Sequence, residues 1–144
     1  MKNASRRRVL ALVSTLSVGS GCLGGSSKPL GLRKIELINL SDEQKEVGVS
    51  VQKGGEIVYD NNHTVEESPT NNRVEITQDW MGDRTQYEVT VSTKINGDEM
   101  SSTAGSNSLN GEFGNKSCFQ SVVIIDNDKL GITHGYYESC EVTE

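Results

Sequence analysis

From Arg33 onward, apolar residues recur at every second position. Val47, Val49 and Val51 alternate with Gly48, Ser50 and Gln52. Tyr87, Val89, Val91, Thr93 and Ile95 alternate with Glu88, Thr90, Ser92 and Lys94. A strand with one buried and one wet face requires that period. Similar runs predict strands at Lys34–Leu40, Glu56–Asp60, Arg73–Gln78, Glu99–Ser102, Cys118–Ile125 and Ile132–Cys140. Lys53-Gly54-Gly55-Glu56 and Ile95-Asn96-Gly97-Asp98 read as hairpin turns, because glycine tolerates the positive φ that tight turns demand. Strands at this spacing, with no βαβ unit and no fixed repeat, predict an all-β, antiparallel sandwich of about seven or eight strands.

The 144 residues suit one such domain. Its large side chains are few: Trp80, Phe113, Phe119 and four tyrosines. A core of that kind leaves little surplus stability. The stretch Ser101–Ser117 breaks the alternation and reads as a long loop, with Phe113 expected to plug the end of the core.

The start of the chain follows a different logic. Lys2, Arg6, Arg7 and Arg8 precede the apolar run Val9–Val18, which is followed by Gly19, Ser20, Gly21 and Cys22. A basic segment, a short apolar segment and small residues before a cleavage point make an export signal, here a signal helix over 1–21. Ser5-Arg6-Arg7-Arg8-Val9-Leu10 is similar to the twin-arginine motif that routes folded proteins across a membrane. Gly19-Ser20-Gly21-Cys22 resembles a lipobox, in which the cysteine takes a lipid. Gly19 stands where an aliphatic residue is usual, a departure that bears on how efficiently the site is processed. Residues 22–32 then form a flexible, lipid-attached Gly/Ser tether, and 33–144 the sandwich domain.

Three cysteines sharpen this reading. Only two can pair, and an unpaired thiol is reactive after export, so Cys22 is expected to carry the lipid. Each buried methylene contributes about 0.8 kcal/mol, and two acyl chains suffice for stable anchoring. Cys118 and Cys140 bracket two apolar segments around the polar Asp126–Lys129. If these form a hairpin with 118 opposite 140, residues 127–131 form its loop, and the pair closes a disulfide.

The leader, the lipobox cysteine and the tether together resemble haloarchaeal twin-arginine-exported lipoproteins. Ile35–Asn39, Val47–Val51, Gly54-Gly55 and Ile57-Val58-Tyr59 are similar to the opening of the immunoglobulin-like domains of such proteins, and the late Cys118 and Cys140 fit the same picture. The resemblance implies surface anchorage and brings no catalytic residues. Charge agrees with it. The leader holds four of the 14 basic residues and none of the 20 acidic ones, so the chain from Cys22 onward carries −10. That balance opposes nucleic-acid binding and predicts a fold that gains stability as salt screens its self-repulsion.

Candidate chemistry is sparse. His63 and His134 are the only histidines and are expected on solvated strands or loops. No G-x-S-x-G elbow is present, and no cysteine–histidine spacing suits zinc or blue copper. Asp126–Gly131 imitates the start of a calcium loop, but Leu130 and Tyr137 stand where ligands belong, so it reads as a turn. Catalytic residues, cofactors and metals are therefore not expected. Asn39, Asn62 and Asn115 head N-x-Ser/Thr sequons that could carry glycans. The expected function is a membrane-anchored surface module that binds or scaffolds an extracellular protein or glycan. The alternatives are a small hydrolase with a loop-lined acidic site, and an inhibitor or stabilising partner of another exported protein.

Overall fold

The structure, a computed structural model, describes residues 29–106, 109 and 113–142. The leader with Arg6, Arg7 and Gly19, and the tether through Cys22 to Lys28, lie outside the described residues. Eight strands follow one another: β1 (Gly31–Asn39), β2 (Lys45–Lys53), β3 (Glu56–Val65), β4 (Arg73–Ile76), β5 (Tyr87–Ile95), β6 (Asp98–Gly105), β7 (Cys118–Ile125) and β8 (Leu130–Tyr137). They form two four-stranded sheets, ordered β4-β1-β7-β8 and β3-β2-β5-β6. The chain is an all-β sandwich.

Both glycine turns form as the sequence requires. Gly54 and Gly55 take φ of 59° and 86°, and Asn96 and Gly97 take 53° and 83°. Two successive residues at positive φ match the right-handed twist of the strands they join. Between the sheets lie the inward positions of the four inner strands: Ile35 and Leu37 of β1, Val47, Val49 and Val51 of β2, Val89 and Val91 of β5, and Phe119, Val123 and Ile125 of β7. Phe113 packs inward against this core, with its ring 4.8 Å from that of Tyr136.

Several features depart from the sequence reading. The sheet containing β1 is not wholly antiparallel, because β1 lies parallel to β7, with Leu37 opposite Val123 and Ile38 opposite Ile124. Alternation reports which face a residue occupies and is silent on strand direction. β1 also begins at Gly31, two residues ahead of the expected domain start at Arg33, and Leu30 and Leu32 are buried. β3 runs on to Val65 and β6 to Gly105, both beyond the expected ends. Both are edge strands with a wet face, so polar residues such as Asn61 and Asn62 do not end them.

Asn39 ties the far end of the sandwich together. Its side chain is fully buried. Nδ2 donates toward the carbonyls of Glu43 at 2.8 Å and of Val65 and Glu66 at 3.1 Å each. Oδ1 accepts from the Ser41 amide at 3.0 Å and from its hydroxyl at 2.6 Å. One side chain thus joins the end of β1, the following loop and the end of β3. Asn39→Ala would take a hydrogen-bond partner from the Val65 and Glu66 carbonyls and from the Ser41 amide, each loss costing about 1–3 kcal/mol where the group is buried. We expect it to lower unfolding free energy by about 3 kcal/mol or more in urea titration. Asn62→Ala, on an exposed position, should change it by less than about 0.5 kcal/mol.

Candidate functional site

Cys118 begins β7 beside Gly31, where the chain from the tether joins the sheet. Cys118 and Cys140 are at disulfide distance, with Cα atoms 5.2 Å apart. Their arrangement differs from the expected hairpin. The amide of Asp126 donates to the carbonyl of Lys129 at 2.9 Å, which closes a tighter turn than the one anticipated. Ile125 therefore faces Leu130, and Cys118 faces Tyr137 rather than Cys140. Cys140 lies beyond the end of β8 and reaches back to Cys118 from the C-terminal segment. Asp126–Lys129 is a hairpin turn, as its composition suggested.

The same corner is too close for side chains. A Cβ on Gly31 would sit 2.6 Å from the Gly82 carbonyl oxygen and 2.9 Å from Cys118 Sγ. The Gly82 amide donates to the Leu32 carbonyl at 3.0 Å, and Arg84 Nε to that of Pro29 at 3.0 Å. Residues 29–32 are thus fixed by the 77–86 loop on one side and by the cysteine pair on the other.

The three sequons occupy different settings. Asn39 is buried with its amide engaged, which leaves no room for a glycan on the folded domain and corrects the expectation for that position. Asn62 on β3 and Asn115 in the loop before β7 are exposed, and Asn115 Nδ2 donates to Glu138 Oε1 at 2.5 Å.

Both histidines lie on strands, but neither is fully solvated as the sequence suggested. His63 of β3 stacks on Tyr59, with Nε2 2.8 Å from the tyrosine oxygen. His134 of β8 meets the edge of Phe119, with ring centres 5.5 Å apart. Between them runs an aromatic chain, Tyr59–Trp80–Tyr87–Phe119, each neighbouring pair 6.2–6.4 Å apart. Sequence order hides this chain, because its members come from β3, β5, β7 and the 77–86 loop. Tyr87 donates its hydroxyl to the Asp83 carbonyl at 2.9 Å, and burial pushes its pKa up to about 12. Burial lowers the pKa of both histidines, that of His134 against an opposing hydrogen bond that its ring donates to the Gln120 backbone. The two imidazoles sit at opposite ends of the chain and do not converge on one point.

The outer faces of the two sheets contrast. On the sheet of β2 and β5, Asn62, Gly48, Ser92 and Ser101 form one cross-strand row, and Asp60, Ser50, Thr90 and Thr103 form the next. At its far end this face dips into a polar cup of about 620 Å³ over Gly48, with Glu43, Glu46 and Glu99 on its walls. On the sheet of β1 and β7, the outward residues are largely shielded although no second layer covers them among the described residues. Glu36 is 6% exposed and Gln120 4%. Arg73 Nη1 lies 2.7 Å from Glu36 Oε1, and Gln120 Nε2 donates to Glu36 Oε2 at 2.7 Å. Lys34 Nζ pairs with Glu75 Oε1 at 2.8 Å, which holds the Glu75 carboxyl below its ordinary pKa. Beside this ion-paired half stands an apolar ridge of Ile38, Val122 and Ile124, each half-buried. Such a combination of desolvated polar pairs and apolar side chains suits contact with another macromolecule.

The chain matches no protein-family model, and no curated protein matches it.

Burial of the two histidines makes stability depend on pH in one direction. A folded pKa below the unfolded value of about 6.5 means that the unfolded chain takes up protons first. Stability is then full above that value and is lost as pH falls through the folded pKa. Chemical denaturation at intervals from pH 7.5 to pH 5 should show a falling midpoint. His63→Gln with His134→Gln should flatten the upper part of that fall, and an unchanged slope would contradict the assignment.

Proposed function

We propose that this chain is a lipid-anchored, extracytoplasmic binding or scaffolding module of the haloarchaeal lipoprotein type, with an immunoglobulin-like sandwich held off the membrane by a short tether. Export follows the twin-arginine motif at Arg6 and Arg7, and Cys22 carries the lipid. The observation that carries this reading is the placement of β1. The tether runs directly into this inner strand at Gly31, so the outer face of its sheet extends away from the attachment point along the strand direction. A partner could then reach the Ile38–Val122–Ile124 ridge without meeting the anchor. Neither histidine lines the acidic cup on the other sheet, so the hydrolase alternative has a cavity there without an imidazole base. The long edge strand β3 is where strand addition to another exported protein would occur.

Substitution of the lipid-bearing residue tests the anchorage. Cys22→Ser should accumulate as unprocessed precursor or appear in the medium, and Arg6→Lys combined with Arg7→Lys should block export. Fractionation followed by mass spectrometry of the N-terminal peptide reads both. Unchanged membrane retention of processed protein in the serine variant would overturn the lipobox assignment.

A further inference from the structure

We propose that two copies of this chain pair through the outer face of the β4-β1-β7-β8 sheet, about a two-fold axis running along β7. The contact itself does not depend on the anchorage proposed above, although it gains from it.

The cross-strand register carries the argument. In the row nearest the far end, Ile38 of β1, Ile124 of β7 and Gly131 of β8 stand side by side. The next row is Glu36, Val122 and Thr133, and the third is Lys34, Gln120 and Gly135. A two-fold axis along β7 keeps every residue in its row and exchanges β1 with β8. Ile38 of one copy then faces Gly131 of the other, Lys34 faces Gly135, and Ile124 meets Ile124. The Ile38 side chain falls opposite a bare glycine of β8, as an isologous interface requires of a single self-complementary patch, whereas the space over Gly135 is taken by the Tyr137 ring of its own copy, 3.3 Å from where a Cβ would stand. The space over Gly131 is empty, since a Cβ there would meet nothing within 4 Å. Beside it lies a depression of about 230 Å³ lined by Ile124, Leu130 and Ile132, with Lys129 and Thr133 on its rim, open to receive the Ile38 side chain of a second copy.

Charge supports the same pairing. The chain from Cys22 onward carries −10, so two copies repel over most of their surfaces. On this face both carboxylates are ion-paired, Glu75 with Lys34 and Glu36 with Arg73, and the Arg33 guanidinium lies 4.1 Å over the Tyr137 ring. Arg73 and Glu75 are on β4, which the axis leaves at the rim. A patch whose carboxylates are already ion-paired, with an apolar centre, is where a second molecule of the same acidic protein can approach.

The contact is weak in free solution. Strands about 4.8 Å apart rising about 3.3 Å per residue give β1, β7 and β8 a face on the order of 300–400 Å². Standard interfaces bury roughly 800 Å² per partner. An axis parallel to the strands, however, leaves both Gly31 ends pointing the same way. Two anchored copies can therefore pair on one membrane, where confinement raises their effective concentration.

Sedimentation equilibrium of the purified full chain in molar salt, up to about 1 mM, detects a contact of this strength. We expect the mass to rise toward that of a dimer with concentration. Gly131→Val, whose Cβ stands in the vacant space, should weaken association by about tenfold or more while leaving the melting temperature unchanged. In the same preparation, Ile124→Cys should cross-link through a short bismaleimide far faster than Thr90→Cys on the opposite sheet. A chain monomeric at every concentration overturns the pairing, as does a Gly131→Val variant that associates as well as its parent. Equal cross-linking at the two cysteine positions would place any association elsewhere and also overturn it. None of these readouts depends on lipid, so a negative result leaves the anchorage test unaffected.

Discussion

Parallel pairing of β1 with β7 is the constraint on which the rest of the structure depends. It sets residues 31–39 beside residues 118–125, so the first sheet cannot close until nearly the whole chain is available. Contacts of such long sequence separation are costly in loop entropy and slow to form. β1 nevertheless has neighbours on both sides, with β4 on the other flank, and buries Ile35 and Leu37 against the opposite sheet. The cysteine pair and the 77–86 loop secure its first residues, and Asn39 secures its last. If the proposed leader is correct, the strand that receives the tether is also the one most firmly held at both ends. Export of an already folded domain would suit a sheet completed last.

Much of this architecture was legible in the sequence. Valine alternation in β2 and β5 marked strands and inward faces together, since each depends only on local period. Both glycine turns were legible because positive φ is a local demand. What escaped was non-local. Nothing in Cys118–Ile125 indicates that its partner is parallel and comes from the start of the domain. The β8 register slipped because the Asp126–Lys129 turn closes more tightly than an opposed cysteine pair would allow, and the cysteines meet through the C-terminal segment instead. Asn39 reads as a sequon by its neighbours and acts as a buried tie by its fold. Its partners Val65 and Glu66 lie too far along the chain for pattern to connect them. The histidines were expected in solvent because the rings that shield them, Tyr59 and Phe119, belong to the assembled core.

The two sheets divide the outer surface into unlike halves. One is flat, polar and rich in Ser, Thr and Asn, and it ends in an acidic cup. The other combines ion-paired charges with an apolar ridge and a glycine-bearing strand, and leaves Gln120 Oε1 buried without a hydrogen-bond partner. Hydrogen bonds and ion pairs already formed on the second face remove part of the desolvation cost of covering it. Glu36 shows this most directly: its carboxylate is already held by Arg73 and Gln120 before any partner arrives. The sequence could mark these residues as outward but could not show that they were shielded, because their neighbours are set by register.

Amide hydrogen exchange of the intact, oxidised chain tests the central role of β1 most directly. Slow exchange identifies the segments that open only with the whole fold. The amides of Leu37 on β1 and Val123 on β7 should be among the slowest in the molecule, with equal opening free energies that match global unfolding. Exchange at the edge strands β3 and β8 should be faster. If β1 amides exchange ahead of those of β2 and β5, the strand frays independently, and the account of a sandwich held together through β1 is contradicted.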